Sequence, residues 1–161
     1  MTISDEIQEM TTLKLSWQTI NDAVDALAYM VKPLNPHLIV GVARGGLIPA
    51  TLLSHKLNIG LETISCSTYQ GTRRTFKKST VVEGWKKEYN RDDVLVIDDI
   101  MDSGDTYRAI LDQVLEFTPV YKFKFATLVK KQEAKFIDFN RFVIQVPQDI
   151  WIEFPWENGE S

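Results

Sequence analysis

The chain has 161 residues, of which 44% are hydrophobic and 25% are charged, and this composition excludes a disordered or fibrous chain and fits one globular domain. Its 18 Lys and Arg residues against 22 Asp and Glu residues give a net charge of -4, which argues against a nucleic-acid or anionic-membrane partner, because both reward a basic surface. The single cysteine, Cys66, excludes an internal disulfide and favours a reducing compartment. No apolar run reaches the roughly 20 residues that span a bilayer, and no signal-peptide pattern is visible. We therefore expect one cytoplasmic domain over residues 1–161.

The first predicted elements alternate between strand and helix. Thr12–Leu15 has the pattern of a short strand, and Ser16 is a candidate N-cap because apolar residues follow it at steps of three and four until Pro33. Leu38–Val42 is a continuous apolar run, which is typical of a buried parallel strand. A helix is predicted from about Pro49 to Leu57, with proline in its first turn.

The second half of the chain continues this alternation. Thr63–Tyr69 and Val94–Ile97 are predicted strands, and Gly71 to Asp92 between them is polar and has no clear period. Thr106–Phe117 has the apolar spacing of a helix. Two further strands are predicted at Lys122–Val129 and Phe142–Val146. The pattern predicts an α/β fold with a largely parallel twisted sheet flanked by helices, whose ligands bind beyond the carboxyl ends of the strands.

The most informative stretch is VLVIDDIMDSGDT, from Val94 to Thr106. Its apolar strand runs into Asp98 and Asp99, and two acids at the end of a core strand need partners because burying charge is costly. The turn that follows has small residues, hydroxyls and a glycine and opens a helix, so its free N–H groups and the helix dipole suit a phosphate. Acids for sugar hydroxyls or a metal beside a phosphate cradle predict a sugar-phosphate site.

This string resembles the phosphoribosyl-pyrophosphate motif of the type I phosphoribosyltransferases, in which two acids precede Asp-Thr/Ser-Gly-x-Thr. The resemblance implies that Asp98 and Asp99 hold the ribose hydroxyls and, directly or indirectly, Mg²⁺. It implies that the 5′-phosphate is bound by the loop of Asp102, Ser103, Gly104, Asp105 and Thr106. Asp105 departs from the small or neutral residue that is commoner there. We therefore expect its side chain to point away from the phosphate while its backbone N–H is used.

Two other segments fit the same family. The tripeptide RGG follows the first long apolar strand, and the resemblance implies that its Arg44 and Gly45 bind the pyrophosphate through the guanidinium and free N–H groups. The resemblance implies that residues 69–92 form a mobile lid, with Tyr69 folding onto the pyrophosphate. Gly71–Lys78 carries four basic residues and no acid, which favours attraction of the polyanionic substrate. A lid of this kind would exclude water when it closes.

The C-terminal run VPQDIWIEFPWE, Val146 to Glu157, resembles the same segment of the xanthine-guanine phosphoribosyltransferases. The resemblance implies a base-binding region over about residues 130–157. In that region Trp151 would stack on the purine, since stacking suits a flat base, and the backbone of Ile152 would face its 2-position. Glu157 would lie near the base or the metal.

A lysine at the end of the preceding strand is implied for the 6-oxo group of the purine. Lys130 and Lys131 both stand there. Aligning Thr127 with the family's strand favours Lys131, while the spacing to Pro147 leaves Lys130 open. A lysine donor selects 6-oxopurines over adenine, because an amino group offers no acceptor at that position.

The resemblance covers about Leu13 to Glu157 and implies purine salvage. The phosphoribosyl group of phosphoribosyl pyrophosphate would pass to N9 of guanine, xanthine or hypoxanthine, with Mg²⁺ as cofactor. Asp102 would act as general base at N7 or stabilise the charge that builds there. The family also implies a homodimer or homotetramer. Two alternatives are a non-enzymatic regulator that senses phosphoribosyl pyrophosphate or nucleotides on the same fold, and a phosphoribosyltransferase for another base. The short, non-basic N-terminal segment disfavours the first, and the C-terminal run disfavours the second.

Overall fold

A computed structural model describes residues 11–69, 79–91, 93–115, 122–134 and 140–157. The strands are β1 Thr12–Lys14, β2 Leu38–Ala43, β3 Gly60–Tyr69, β4 Ser79–Glu83, β5 Val94–Met101, β6 Phe123–Lys131, β7 Arg141–Val146 and β8 Trp151–Glu153. The helices are α1 Trp17–Val31, α2 Leu47–Leu57 and α3 Asp105–Leu115, with short 3₁₀ helices at Lys32–Leu34 and Lys87–Arg91.

The main sheet of the described residues has six strands in the order β4-β3-β2-β5-β6-β7. All neighbours in it are parallel except β3 and β4, which are antiparallel. A second, two-stranded sheet pairs β1 with β8 in parallel. The predicted α/β fold with a largely parallel sheet is confirmed. Its consequence is that the carboxyl ends of β2, β5 and β6 meet at one edge.

The core lies on both faces of the sheet because strand residues alternate in direction. Leu95 and Ile97 of β5 pack with α1 and α2, whereas Val94 and Val96 pack with α3. Helix α1 begins where predicted, since the Ser16 hydroxyl accepts a hydrogen bond from the Thr19 N–H at 3.1 Å. These helices hold the sheet edge from both sides.

Close packing of α2 on β2 depends on Gly41. A β carbon there would lie 2.8 Å from the Ala50 β carbon and 3.3 Å from Leu47 Cδ2. Only a glycine lets the helix approach the strand this closely. Helix α2 itself begins two residues before the predicted Pro49.

The structure differs from the predicted elements at several positions. The strand predicted to end at Ile97 continues to Met101, because Asp98 and Ile100 still pair with β6. The polar stretch predicted to be irregular contains β4, which pairs with β3, and a 3₁₀ helix. Strand β8 was not predicted, because three residues are too few for a periodic pattern.

The predicted lid is described only in part. Its basic segment, Gly71–Lys78, lies outside the described residues. Within the described part of the chain no helix is long and apolar enough to cross a membrane.

Candidate active site

Two adjacent carboxylates stand at the carboxyl end of β5, and both are half-buried. Asp98 Oδ1 accepts the Asp99 N–H at 2.8 Å, and Asp99 Oδ1 accepts the Ile100 N–H at 2.8 Å. Burial raises the pKa of Asp98 well above its ordinary value, and the neighbouring Asp99 carboxylate raises it further. Burial also raises the pKa of Asp99, against the opposing hydrogen bonds. The pair therefore favours a bound cation or hydroxyl donors, which would stabilise its ionised form.

The turn between β2 and α2 packs directly against these acids. A β carbon at Gly45 would lie 2.1 Å from Asp99 Oδ2, and one at Gly46 would lie 2.6 Å from the Ile97 carbonyl oxygen. Arg44 of the same turn is exposed, and the peptide bond before it is cis. The two glycines thus bring the predicted pyrophosphate turn into contact with the acidic end of β5.

The loop from β5 to α3 encloses a cleft of about 240 Å³. Asp98, Asp99 and all five predicted phosphate-binding residues line it: Asp102, Ser103, Gly104, Asp105 and Thr106. Gly104 has φ 87°, a left-handed conformation that favours glycine. The cleft opens at the N-terminus of α3, where the helix dipole attracts anions.

Asp105 is the first residue of α3, and its carboxylate pairs with the Arg108 guanidinium. Arg108 also donates to the Ser103 carbonyl oxygen at 3.2 Å and lies against Gly104. The negative charge that the sequence places in the phosphate loop is therefore offset by a cation one turn later. Neither Arg108 nor this pairing was predicted, although the i, i+3 spacing of the two residues was a readable signal.

Behind the loop, the Cys66 thiol of β3 faces Thr106. Burial raises the pKa of this thiol, and a hydrogen bond with Thr106 works in the opposite direction. The neutral thiol thus packs behind the phosphate loop.

A second pocket, of about 140 Å³, adjoins the first. Its lining comprises residues of β5, β6, β8 and the C-terminal turn: Asp99, Ile100, Asp102, Lys131, Trp151, Ile152, Phe154 and Glu157. Trp151 is 65% exposed, whereas Ile152 is buried. The structure therefore brings together the predicted proton acceptor and the predicted purine-binding residues.

Lys131 is held by the turn that follows β7. Its Nζ donates to the Gln148 carbonyl oxygen at 3.2 Å and to the Ile150 carbonyl oxygen. An ammonium group has three N–H donors, so these two described carbonyls leave one for the pocket. The side chain is only 5% exposed, which keeps its orientation fixed.

Lys130 does not line this pocket. Its Nζ donates to the carbonyl oxygens of Lys131 at 3.1 Å and Gln132 at 3.4 Å and lies 5.4 Å from the centre of the Phe142 ring. Successive strand residues face opposite ways, so only one of the two lysines can face the pocket. Of the two candidates left open by the sequence, the structure places Lys131 there.

Gln148 contacts the site from the turn after β7. Its Nε2 lies 3.4 Å from both the main-chain oxygen and Oδ1 of Asp102, and its Oε1 accepts the Glu133 N–H at 3.1 Å. Sequence reasoning missed this residue, because its partners are 15 and 46 residues away and no local pattern shows them.

A third cleft, of about 630 Å³, lies beside the β2–α2 turn. It is lined by Arg44, Gly45, Ile48, Asp99, Trp156 and Glu157. Asp99 therefore borders all three cavities. Tyr69, the third predicted pyrophosphate residue, ends β3 opposite Ser79, and its side chain lies outside the described part of the structure.

The C-terminal turn is fixed by aromatic packing. Trp156 stacks on Phe154 with ring centres 4.7 Å apart and lies 6.0 Å from Trp17, which is 51% exposed. Glu157 Oε1 accepts the Phe154 N–H at 3.2 Å. Glu157 thus reaches the edge of two cavities while also closing the turn.

Comparison with known proteins identifies the family. The family described as phosphoribosyl transferase domain matches residues 15–160. This chain belongs to the phosphoribosyltransferases. The family predicted from the β5–α3 loop and the C-terminal run is therefore confirmed.

Individual phosphoribosyltransferases resemble this chain in sequence and in structure. Over 148 residues the chain is 32% identical to a xanthine-guanine phosphoribosyltransferase of Nitratidesulfovibrio vulgaris. The alignment covers 89% of this chain and 83% of the relative. The purine phosphoribosyltransferase of Pyrococcus horikoshii has a similar structure, with a TM-score of 0.80, 30% identity and coverage of 94% and 97%. The xanthine-guanine-hypoxanthine phosphoribosyltransferase of Helicobacter pylori has a TM-score of 0.74, 26% identity and coverage of 91% and 94%.

Proposed function

We propose that this phosphoribosyltransferase transfers the phosphoribosyl group of phosphoribosyl pyrophosphate to N9 of a 6-oxopurine and releases pyrophosphate. The observation that carries the proposal is the pocket in which Asp102 and Lys131 lie together beside Trp151. That pocket shares Asp99 with the cleft of the phosphate loop. A base and a sugar phosphate bound in the two cavities would therefore meet at Asp99. The purine phosphoribosyltransferases among the relatives support the same class of acceptor.

The 5′-phosphate would lie in the cleft of Asp102–Thr106, against the N-terminus of α3. The pairing of Asp105 with Arg108 supports this assignment, because it turns the carboxylate toward a cation. The backbone N–H groups of the loop then remain the natural partners of the phosphate. Asp98 and Asp99 would accept hydrogen bonds from the ribose hydroxyls.

The pyrophosphate would lie in the larger cleft, on Arg44 and Gly45, with Tyr69 at the end of β3 as the third predicted contact. An exposed guanidinium and a glycine backbone suit a mobile polyanion. The position of this cleft next to Asp99 supports the assignment, since the leaving group must be bonded to the same sugar.

Mg²⁺ is the cofactor that these residues fit. Asp98 and Asp99 offer hard carboxylate oxygens at adjacent positions, and within the described residues no cluster of three or more metal-ligating side chains exists. Two carboxylates without a full protein cage match the way Mg²⁺ is bound together with substrate phosphates. When bound, the ion would neutralise charge on the departing pyrophosphate.

The base would be recognised by its 6-oxo group. The one Lys131 donor left by the described carbonyls would bond O6, and adenine would present an amino group there with no acceptor. The exposed ring of Trp151 would stack on the purine, and the backbone of Ile152 would face its 2-position. Preference among guanine, xanthine and hypoxanthine depends on that last contact.

In the chemical step one bond breaks, one bond forms and one proton is transferred. The C1–O bond to pyrophosphate breaks with oxocarbenium character while N9 bonds to C1. The proton on N7 passes to the Asp102 carboxylate, which lines the same pocket as Lys131. Pyrophosphate leaves with the electron pair of the broken bond, so charge and protons balance.

Steady-state kinetics test the proposal directly. With phosphoribosyl pyrophosphate and Mg²⁺, we expect turnover on at least one of guanine, xanthine and hypoxanthine and none on adenine. Asp102→Asn should lower kcat by about 10²- to 10⁴-fold while the variant stays folded and binds guanosine monophosphate. Turnover on adenine, or tight binding of phosphoribosyl pyrophosphate without turnover on any purine, would contradict the proposal. Near-normal turnover of Asp102→Asn would remove its assigned role.

Assembly and location stay predictions. Assembly as a homodimer or homotetramer accords with the large exposed apolar side chains Leu13, Tyr29 and Met30, the second being 84% exposed. Sedimentation analysis would measure the oligomeric state. Fractionation of cells would test the predicted cytoplasmic location.

A further inference from the structure

We propose that Gln148 is a positioning residue that fixes the distance between Asp102 and Lys131 and so aligns both with the purine. The inference rests on the proposed function, because it concerns the two groups that would contact the base. Gln148 is the one described residue that hydrogen-bonds to both of them. Its main-chain oxygen accepts a hydrogen bond from Lys131 Nζ, and its side-chain amide donates to Asp102.

Every polar atom of the Gln148 side chain is committed. Nε2 lies 3.4 Å from the main-chain oxygen of Asp102 and 3.4 Å from its Oδ1, so its two N–H donors have two acceptors within reach. Oε1 accepts the Glu133 N–H, and the Gln148 main-chain oxygen accepts Lys131 Nζ at 3.2 Å. The residue therefore ties the loop after β5 to the end of β6.

The chemistry of the base explains why this distance matters. O6 and N7 are neighbours on one edge of a 6-oxopurine, so the donor to O6 and the acceptor at N7 must match their separation. Lys131 is buried and bonded to two carbonyls, whereas Asp102 is exposed on a loop. Without a partner the Asp102 carboxylate would sample several rotamers. An error of about 1 Å in such alignment costs about 100-fold in rate.

The two contacts of Nε2 with Asp102 are long, at 3.4 Å each. Both are longer than the usual N–H···O distance of about 2.9 Å. Hydrogen bonds of a catalytic group are often long before substrate binds and tighten in the complex. A bond from Nε2 to Oδ1 also leaves Oδ2 of Asp102 as the oxygen that receives the N7 proton.

Gln148→Met tests the inference, because methionine keeps the length of the side chain and removes the side-chain hydrogen bonds to Asp102 and Glu133. The main-chain oxygen that accepts Lys131 Nζ stays in place. We expect kcat with a 6-oxopurine to fall about 10- to 100-fold, with the KM for phosphoribosyl pyrophosphate within about threefold. Gln148→Glu should be at least as impaired, because it places a carboxylate against Asp102. The matched control is Gln145→Met on the exposed face of β7, which should keep wild-type kinetics.

A double-mutant cycle separates positioning from simple loss of structure. In the Asp102→Asn background, Gln148→Met should lower the remaining kcat by less than about threefold, because the group that it positions is gone. Equal losses in both backgrounds would overturn the inference, as would wild-type kcat in Gln148→Met. If Gln148→Met unfolds, the more polar Gln148→Glu decides in its place, and wild-type kcat there is equally contradictory. Absence of turnover in the wild-type protein would overturn the proposed function and this inference with it.

Discussion

Asp99 and Gly45 are in contact across the sheet edge, so closely that a β carbon at Gly45 would lie 2.1 Å from Asp99 Oδ2. Asp99 belongs to β5 and Gly45 to the turn after β2, and the two belong to different predicted subsites. Because Asp99 also borders all three cavities, the missing side chain at Gly45 sets where the central carboxylate of the site can lie.

Gly45→Ala should therefore impair the site more than the fold. The added methyl group displaces the Asp99 carboxylate, and we expect kcat/KM for phosphoribosyl pyrophosphate to fall about 100-fold with little change in Tm. The matched variant is Gly41→Ala, whose methyl group would meet Ala50 in the core. That variant should lose about 1–3 kcal/mol of stability and keep more of its activity. The opposite ranking in kinetics and thermal unfolding would contradict this account of Gly45.

The two lysines at the end of β6 should behave differently. Lys131→Met removes the donor that would face the base, and kcat/KM for a 6-oxopurine should fall about 10- to 100-fold. Lys130→Met removes contacts with Gln132 and Phe142 outside the pocket, so turnover should stay within about threefold of wild type. Kinetics with hypoxanthine measure both variants. Equal loss in the two would contradict the predicted difference, and greater loss in Lys130→Met would assign base recognition to Lys130.

The Asp105–Arg108 pair should tune the affinity of the phosphate loop. Asp105→Asn removes a negative charge and should lower the KM for phosphoribosyl pyrophosphate by about two- to fivefold, an effect of the size of an exposed ion pair. Arg108→Gln leaves Asp105 uncompensated and should raise that KM, while the double variant should return near wild type. The differences should shrink at high salt. A raised KM in Asp105→Asn would show that the carboxylate itself helps to bind substrate.

The half-buried carboxylate of Asp98 should lower the free energy of unfolding near neutral pH. Its pKa is raised in the folded chain, so between the ordinary aspartate value of about 3.9 and the raised value the folded state holds more protons than the unfolded state. The free energy of unfolding therefore falls as pH rises through that interval and stays reduced above it. We expect Asp98→Asn to unfold at a higher temperature than wild type near neutral pH, with the difference vanishing below the ordinary value.

Thermal unfolding in a chelating buffer without substrate measures this effect, because a bound cation would hide it. Asp112→Asn, on the exposed face of α3, is the control and should leave Tm unchanged. A neutral-pH Tm of Asp98→Asn at or below that of wild type would contradict the predicted cost. Turnover of Asp98→Asn should be reduced throughout.

Much of the fold followed from local patterns. The Ser16 cap, the apolar run at Leu38–Val42 and the helical spacing after Thr106 each depend on residues within a few positions, so their interpretation needed no tertiary information. Strand β8 and the end of β5 could not be obtained in this way. Asp98 would normally argue against a strand, and pairing with Thr127 of β6 keeps it in one.

The family and the candidate site could both be predicted from the sequence, because VLVIDDIMDSGDT places its acids, hydroxyls and glycine in one continuous string that needs only a strand before it and a helix after it. Which lysine lines the candidate base pocket depends on tertiary structure, since Lys130 pairs with Met101 and Lys131 lies one residue further along, and one residue in a strand reverses the side chain's direction. Tertiary structure also decided that Gly45 touches Asp99 and that Gln148 joins Asp102 to Lys131. These contacts depend on how separate strands align at the sheet edge, which no local pattern encodes.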